Sequence, residues 1–191
     1  MFLNLVEKTR TIRRFDRSKL ITDADLMGLL ECARKSASAG NMQRIRFVSV
    51  NGNEAQRAFS HVSLGGLLPP DKKPNESVAP TAYIVLCARE ENPDANLFID
   101  IGITAQTIAL AAAEKGIGAC MIRNFGKEYF SSLAKGEYAF AQLVIALGYP
   151  SESARIVDAS MNDSLKYYKN ESEENIVPKL TLSDLVIEKH N

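Results

Sequence analysis

Tryptophan is absent from this 191-residue chain, and histidine and cysteine are scarce, with two and three residues respectively. With so few histidines, a Ser–His or Cys–His hydrolase would have to use His61 or the penultimate His190, so hydrolysis has little support. Cys32, Cys87 and Cys120 are odd in number and widely separated, unlike a disulfide framework or a metal-ligand set. We therefore expect no metal site and a cytoplasmic protein.

The chain also lacks an excess of charge of either sign, with 23 basic and 23 acidic residues. No overall field attracts nucleic acid or an anionic membrane. The longest apolar run, residues 99–113, contains Asp100 and Thr104, which favours a buried helix over a membrane span. Basic residues cluster between positions 8 and 19, but with Phe15 as their only interleaved aromatic residue they do not indicate nucleic-acid binding.

Helical and strand patterns alternate along the chain, which we take as one domain over residues 1–191 of class α/β or α+β. Thr22 followed by Asp25 resembles a capping box at the start of a helix. The other expected helices cover residues 2–9, 54–60, 95–115, 127–133 and 182–187, and the expected strands cover 47–50, 81–88, 119–122 and 142–147. The loop 61–80 is long enough to cover a site, and a polar tail is expected from residue 151 to 175.

The long central helix is rich in small residues, including Gly102, Ala105 and Ala109. Little bulk on a helix permits close approach of another helix or another subunit. The pattern alone is equally compatible with ordinary core packing and with burial in a dimer.

Arg10 and Arg13 stand three residues apart, with the hydroxyl of Thr11 beside the first. Two forked guanidinium donors and a hydroxyl can converge on one phosphate group. A solvated basic helix end has the same composition and, for these residues alone, is the commoner explanation.

Two further segments carry weaker signals. Residues 36–43 form a turn rich in small residues, in which Asn41 and Gln43 offer both donors and acceptors near a close backbone approach. Gly116 and Gly118 separate the long helix from the next strand. Glycines of a dinucleotide fingerprint would instead follow a strand and open a helix.

Together these segments resemble the nitroreductase superfamily of FMN enzymes. Its sequence pattern is matched in order and spacing by residues 10–15, 37–45, 100–102 and 116–118, and residues 167–179 resemble one branch of it. The resemblance implies an α+β, three-layer fold with a central mixed, mainly antiparallel sheet flanked by helices. It also implies a homodimer with two flavins, each bound at the subunit interface.

The flavin contacts implied by this resemblance fall into three groups. They are Arg10, Thr11, Arg13 and Lys179 at the FMN phosphate; Ser38 and Asn41, reaching the flavin from the partner chain; and Met121, Arg123 and Asn124 at the ring. No catalytic side chain is implied, because the flavin carries the chemistry. The implied reaction is ping-pong, with NAD(P)H reducing the flavin before a nitroaromatic, quinone or similar small acceptor oxidises it.

The sequence departs from the superfamily pattern near the expected ring site. Ala37, Arg44 and Ile45 replace proline, proline and tryptophan, while Arg123 and Asn124 stand where glycine, alanine or an acid is usual. An Arg123 side chain facing the ring would stabilise a reduced anionic flavin, whereas one facing solvent would not. These departures leave an alternative function, a flavin-binding carrier or regulator without efficient turnover.

Overall fold

The computed structural model describes residues 1–66 and 68–190. Its helices are α1 (Phe2–Lys8), α2 (Asp23–Ala33), α3 (Gly52–Phe59), α4 (Ala95–Glu114), α5 (Lys127–Ser132) and α6 (Leu182–Leu185). Its strands are β1 (Arg46–Asn51), β2 (Ala82–Ala88), β3 (Gly118–Ile122), β4 (Phe140–Gly148), β5 (Ala154–Ala159), β6 (Tyr168–Lys169) and β7 (Asn175–Leu180). Short 3₁₀ helices cover Ala39–Asn41, Pro70–Lys72 and Glu76–Val78.

An antiparallel sheet in the order β1-β2-β4-β3 forms the centre of the fold. β2 is buried along its whole length, because its alternate side chains meet helices on opposite sides of the sheet. Ile84 and Leu86 pack with α2 and α4, whereas Tyr83 and Val85 pack with α3 and α5. Helices therefore cover both faces, which confirms the three-layer α+β arrangement.

Local signals located the helix ends well. The predicted capping box is confirmed, since the Thr22 hydroxyl accepts from the Asp25 amide and the Asp25 carboxylate accepts from the Thr22 amide. Gly116 follows α4 with a φ of +72°, a conformation that glycine adopts without steric cost. α2 ends at Ala33, before the small-residue turn at 36–43, because the amides of Lys35 and Ser36 bond three residues back, that of Ser36 to the carbonyl of Ala33 at 3.0 Å.

α4 has one face in the core and one in solvent. Leu97 and Ile108 are fully buried, whereas Phe98, Ile99 and Ile103 are 50%, 59% and 39% exposed. By length and mean hydropathy, 1.4, the helix would meet the requirements of a membrane span, which core helices also meet. Packing in the core therefore accounts for the apolar residues on one face of this helix. A second group of apolar residues stays exposed in the single chain.

The chain beyond Pro150 forms a second sheet, in the order β5-β7-β6. β5 runs parallel to β7, and β6 runs antiparallel to it. The expectation of a polar tail up to residue 175 is therefore wrong for residues 154–159. β5 buries only its last residue, Ala159, so it lacks the alternation that reveals a strand in a sequence. Its pairing with the apolar run 176–178 makes it a strand.

Backbone hydrogen bonds hold the segment 11–16 against the central sheet. The amide of Ile12 donates to the carbonyl of Ala119 at 3.0 Å, and the amide of Asp16 donates to the carbonyl of Tyr149 at 2.8 Å. The segment is thus bonded to β3 at one end and to the residues after β4 at the other. Its backbone, and therefore the Cα positions of its side chains, are fixed.

A pair of glycines makes this close approach possible. Gly118 and Gly148 are cross-strand partners in the β3–β4 register. A Cβ atom on Gly118 would lie 2.8 Å from the Cβ of Ile12, and one on Gly148 would lie 2.7 Å from Cδ1 of Phe15. The Phe15 ring is 1% exposed, so it has little room to move away.

We expect Gly148→Ala to destabilise the protein by about 1–3 kcal/mol, because the added methyl group overlaps the buried Phe15 ring. Denaturant unfolding followed by circular dichroism measures this free energy. Gly28→Ala is the matched control: its methyl group in α2 would lie 3.6 Å from the nearest atoms, in the Lys115 side chain. That variant should gain about 1 kcal/mol from helix propensity. Wild-type stability of the Gly148 variant would contradict the packing described.

Candidate functional site

Arg10 lines a cavity of about 320 Å³ between the C-terminal part of α4 and the start of β3. One terminal guanidinium nitrogen donates to the carbonyl of Val6 at 2.7 Å. The Nε atom is buried and has no hydrogen-bond partner among the described residues. Burial lowers the pKa of Arg10, yet a guanidinium remains charged in proteins. A desolvated cation with an unused N–H is stabilised by a bound anion.

Glu152 lines the same cavity and was not identified from the sequence. Its Oε1 atom accepts hydrogen bonds from the amides of Arg13 at 2.6 Å and Arg14 at 3.1 Å, and its Oε2 atom accepts from Nδ2 of Asn175 at 2.9 Å. The carboxylate therefore fixes the backbone of the basic segment. The amides of Arg13 and Arg14 are therefore not available to an anion.

The other predicted phosphate ligands have different surroundings. Thr11 is exposed. The guanidinium carbon of Arg13 lies 4.7 Å from the centre of the Tyr167 ring, a cation–π contact. Lys179 is exposed on β7 and does not line the cavity described above. Neither Thr11 nor Arg13 lines the cavity at Arg10 either, so the roles of all three residues at a phosphate stay predictions.

A buried carboxylate holds the loop that contains Ser38 and Asn41. Asp100 of α4 is 2% exposed and accepts a hydrogen bond from the amide of Ala39 at 2.9 Å. Within the loop, Asn41 and Gln43 have φ angles of 53° and 50°. Left-handed backbone at such residues costs about 1–3 kcal/mol and clusters at binding sites. The strained loop is therefore positioned by α4.

Arg44, one of the departures from the superfamily pattern, forms two ion pairs. Its guanidinium binds Glu90 at 2.7 Å and Asp94 at 2.8 Å, and its side chain is 18% exposed. Asp94 is also the N-cap of α4, accepting from the amide of Leu97. Ile45 is partly buried against the α4 side of the core. Both replacements thus connect the strained loop to the framework.

The three residues expected at the ring lie at or just beyond the end of β3. Met121 is 40% exposed. The guanidinium carbon of Arg123 lies 6.0 Å from the centre of the Phe98 ring, so this side chain extends towards the exposed face of α4. The carbonyl of Asn124 accepts from the amide of Ser63 at 3.0 Å, which joins this turn to the loop after α3.

The predicted contacts fall in two places along α4. A cavity of about 230 Å³ beside Ser38 is lined by Thr104, whereas the cavity beside Arg10 is lined by Ala113. These two cavities share no lining residue among the described residues. At a rise of 1.5 Å per residue, the nearest α4 residues of the two cavities, Thr104 and Ala109, are about 7.5 Å apart along the helix. One copy of the chain therefore does not bring Ser38 and Arg10 into one pocket.

Side-chain nucleophiles and metal clusters do not supply an alternative chemistry in the part of the chain that the structure describes. No group of three or more His, Cys, Asp or Glu residues is placed to hold a metal ion there. Burial raises the pKa of the Cys87 and Cys120 thiols to about 11, so both remain protonated at neutral pH. Neither thiol is therefore an activated nucleophile.

A model of the Nitroreductase family matches residues 6–149, and the chain belongs to that family. A nitroreductase family protein from Streptococcus pneumoniae has a TM-score of 0.68 at 18% identity, with all of both chains covered. A protein assigned as a nitroreductase from Desulfovibrio desulfuricans, in complex with FMN, has a TM-score of 0.67 at 19% identity, covering 99% of this chain and 96% of that one.

An FMN-dependent nitroreductase from Mycobacterium smegmatis, in complex with NADPH, is also similar. Its TM-score is 0.63 at 17% identity, and 78% of this chain and 87% of that chain are covered. At these identities the likeness concerns the fold. No curated protein matches the sequence significantly.

We expect Arg44→Ala to lower the stability of the folded protein at neutral pH. The stability of this variant should also fall less than that of the wild type as the pH is lowered. Arg44 holds the pKa of Glu90 below its ordinary 4.5, and the Leu97 amide with Arg44 holds that of Asp94 below 3.8. Lowered carboxylate pKa values stabilise the folded state above the ordinary pKa, and this stability is lost as the pH falls through the lowered values.

Thermal unfolding between pH 7 and pH 3 measures this effect. The wild type should lose more stability below pH 4.5 than the Arg44 variant does. Arg17→Ala serves as control. The Arg17 guanidinium donates to the backbone carbonyl of Glu76, which does not titrate, so this variant should lose stability below pH 4.5 as the wild type does. Parallel profiles for the Arg44 variant and the wild type would show that the ion pairs do not persist in solution.

Proposed function

We propose that this protein is an FMN-dependent oxidoreductase that passes reducing equivalents from NAD(P)H to a small acceptor, such as a nitroaromatic compound or a quinone. The observation that carries the proposal is the partly buried Arg10, which lines a cavity and whose buried Nε–H has no hydrogen-bond partner among the described residues. Membership of the Nitroreductase family supports it. So do the FMN in one similar structure and the NADPH in another.

The residues present suit a flavin phosphate. Arg10 and Arg13 supply two permanent charges, and Thr11 supplies a neutral donor. Gly116, where an added Cβ atom would meet nothing within 4 Å, leaves part of the cavity lining without a side chain, which lets a ligand approach the backbone. Glu152 opposes an anion, but its charge is already shared among three N–H donors.

Bound FMN would supply hydride acceptance and donation, which no protein side chain provides. The chain's own residues bind and orient: the segment 10–13 would hold the phosphate, and the strained loop around Asn41 would approach the ring. NAD(P)H and the acceptor would occupy the same open face in turn. A ping-pong order of this kind needs no separate nicotinamide motif, in keeping with the sequence.

We also propose that the flavin site is completed by a second copy of the chain. In one copy, the cavities beside Ser38 and beside Arg10 are separate, and their nearest lining residues on α4 are about 7.5 Å apart along the helix. The exposed apolar residues Phe98, Ile99 and Ile103 lie on the same helix and offer a surface for a partner. Sedimentation equilibrium at micromolar concentration should show a dimer, and a monomer that retains FMN would contradict a shared site.

Arg10→Ala and Arg13→Ala should each weaken FMN binding roughly 10- to 150-fold, the equivalent of a lost charged hydrogen bond of about 1.5–3 kcal/mol. Quenching of FMN fluorescence measures the Kd. Arg17→Ala is the matched control, because it removes an equal charge a few residues further along the same chain. Riboflavin, which lacks the phosphate, should bind wild type and variants alike. Unchanged FMN affinity in an arginine variant would remove that residue from the site.

Turnover distinguishes the proposed enzyme from the alternative, a flavin carrier or regulator. Stopped-flow mixing of the FMN-bound protein with NADH or NADPH should bleach the flavin absorbance, and a quinone or nitroaromatic compound should restore it. A flavin that stays oxidised with both nicotinamides would favour the carrier. A protein that takes up no FMN would rule out both functions.

A further inference from the structure

A third cavity, of about 370 Å³, lies between the loop at residues 68–72 and the segment 166–173. We call it the tyrosine–lysine pocket. Its lining includes Leu68, Pro69, Lys72, Lys166, Tyr167 and Tyr168, and Lys169 and Glu173 complete it. None of these residues lines the cavity at Arg10. The pocket is therefore distinct from that cavity, and its one contact with the proposed phosphate ligands is that of Tyr167 with Arg13.

The walls of the tyrosine–lysine pocket are held by two neighbouring arginines. A terminal nitrogen of Arg14 donates to the carbonyl of Lys72 at 2.8 Å, which fixes the loop wall. The guanidinium of Arg13 packs on the Tyr167 ring and supports the opposite wall. Since the backbone of both arginines is tied to Glu152, the two walls share one rigid support.

Gly65 shapes the loop wall. Its φ is +70°, and a Cβ atom there would lie 2.7 Å from Cδ1 of Leu68. The amide of Leu68 also donates to the carbonyl of Gly65 at 2.8 Å. A residue with a side chain would therefore be strained and would push Leu68 out of place. The turn places an apolar side chain at the pocket.

The charge of the pocket is positive. Of its charged lining residues, three are lysines and one is an acid, Glu173. Glu173 is already paired with Lys169 at 2.9 Å, and that hydrogen bond is the main cause of its lowered pKa. Among the described residues, neither Lys72 nor Lys166 lies within 4.0 Å of a carboxylate. Two ammonium groups are thus available to an anion.

We propose that the tyrosine–lysine pocket binds a small planar aromatic carboxylate. The ring would pack against Tyr168, Leu68 and Pro69, and the carboxylate would pair with Lys72 and Lys166. Ligand pockets commonly combine apolar and aromatic walls with a few placed charges, at volumes of about 300–1,000 Å³. A volume of about 370 Å³ therefore suits one or two fused rings. The proposal does not depend on flavin binding.

Calorimetric titration of the purified protein with 1-naphthoate tests this site. We expect one molecule to bind per chain. Naphthalene-1-methanol, with the same rings and no charge, and cyclohexanecarboxylate, with the charge and no aromatic ring, should each bind at least tenfold more weakly. Equal binding of the uncharged compound, or no detectable naphthoate binding, would overturn the proposal.

Variants locate the bound naphthoate. Lys166→Gln and Tyr168→Ala should each weaken naphthoate binding at least fivefold and leave FMN affinity unchanged. Lys127→Gln, an equal loss of charge on the exposed start of α5, should leave naphthoate binding unchanged. If excess FMN displaces naphthoate, or if the Lys127 variant is weakened equally, the compound binds elsewhere and the proposal fails.

Discussion

The contact of Ile12 and Phe15 with the bare backbone of Gly118 and Gly148 is the constraint on which the rest of the site depends. It allows the basic segment to lie close to the sheet, within hydrogen-bonding distance of its edge. The residues next to this segment, including Arg10, line a cavity beside the start of β3. An apolar contact thus positions the backbone from which a partly buried charged side chain extends.

Helix α4 connects the core to the loop that contains Ser38 and Asn41. Its apolar residues on one side fill the core, and its buried Asp100 reaches the amide of Ala39 to hold a strained loop. At its N-terminus, Asp94 joins the helix cap to Arg44. The helix therefore connects the core, the loop and an uncovered apolar face, as the shared site that we propose requires.

The arginines of this chain divide between structural and binding roles that their positions in the sequence do not reveal. Arg44 satisfies two carboxylates, and Arg14 holds a distant loop. Arg123, which the superfamily pattern places near the ring, extends over Phe98. By contrast, Arg10 retains an unused donor in a buried position. The candidate binding residue is therefore distinguished by an N–H donor without a partner, and not by its positive charge alone.

The sequence by itself determined the buried strands, the capped helices and the basic segment, because periodicity and capping are local properties of the chain. It missed β5, whose weak alternation becomes a strand only through pairing with β7, and it missed Glu152, which follows no motif. Only the tertiary structure decided which arginines are paired and that the predicted contacts lie in separate cavities. Pairing and burial depend on residues far apart in the chain, and no local pattern records those distances.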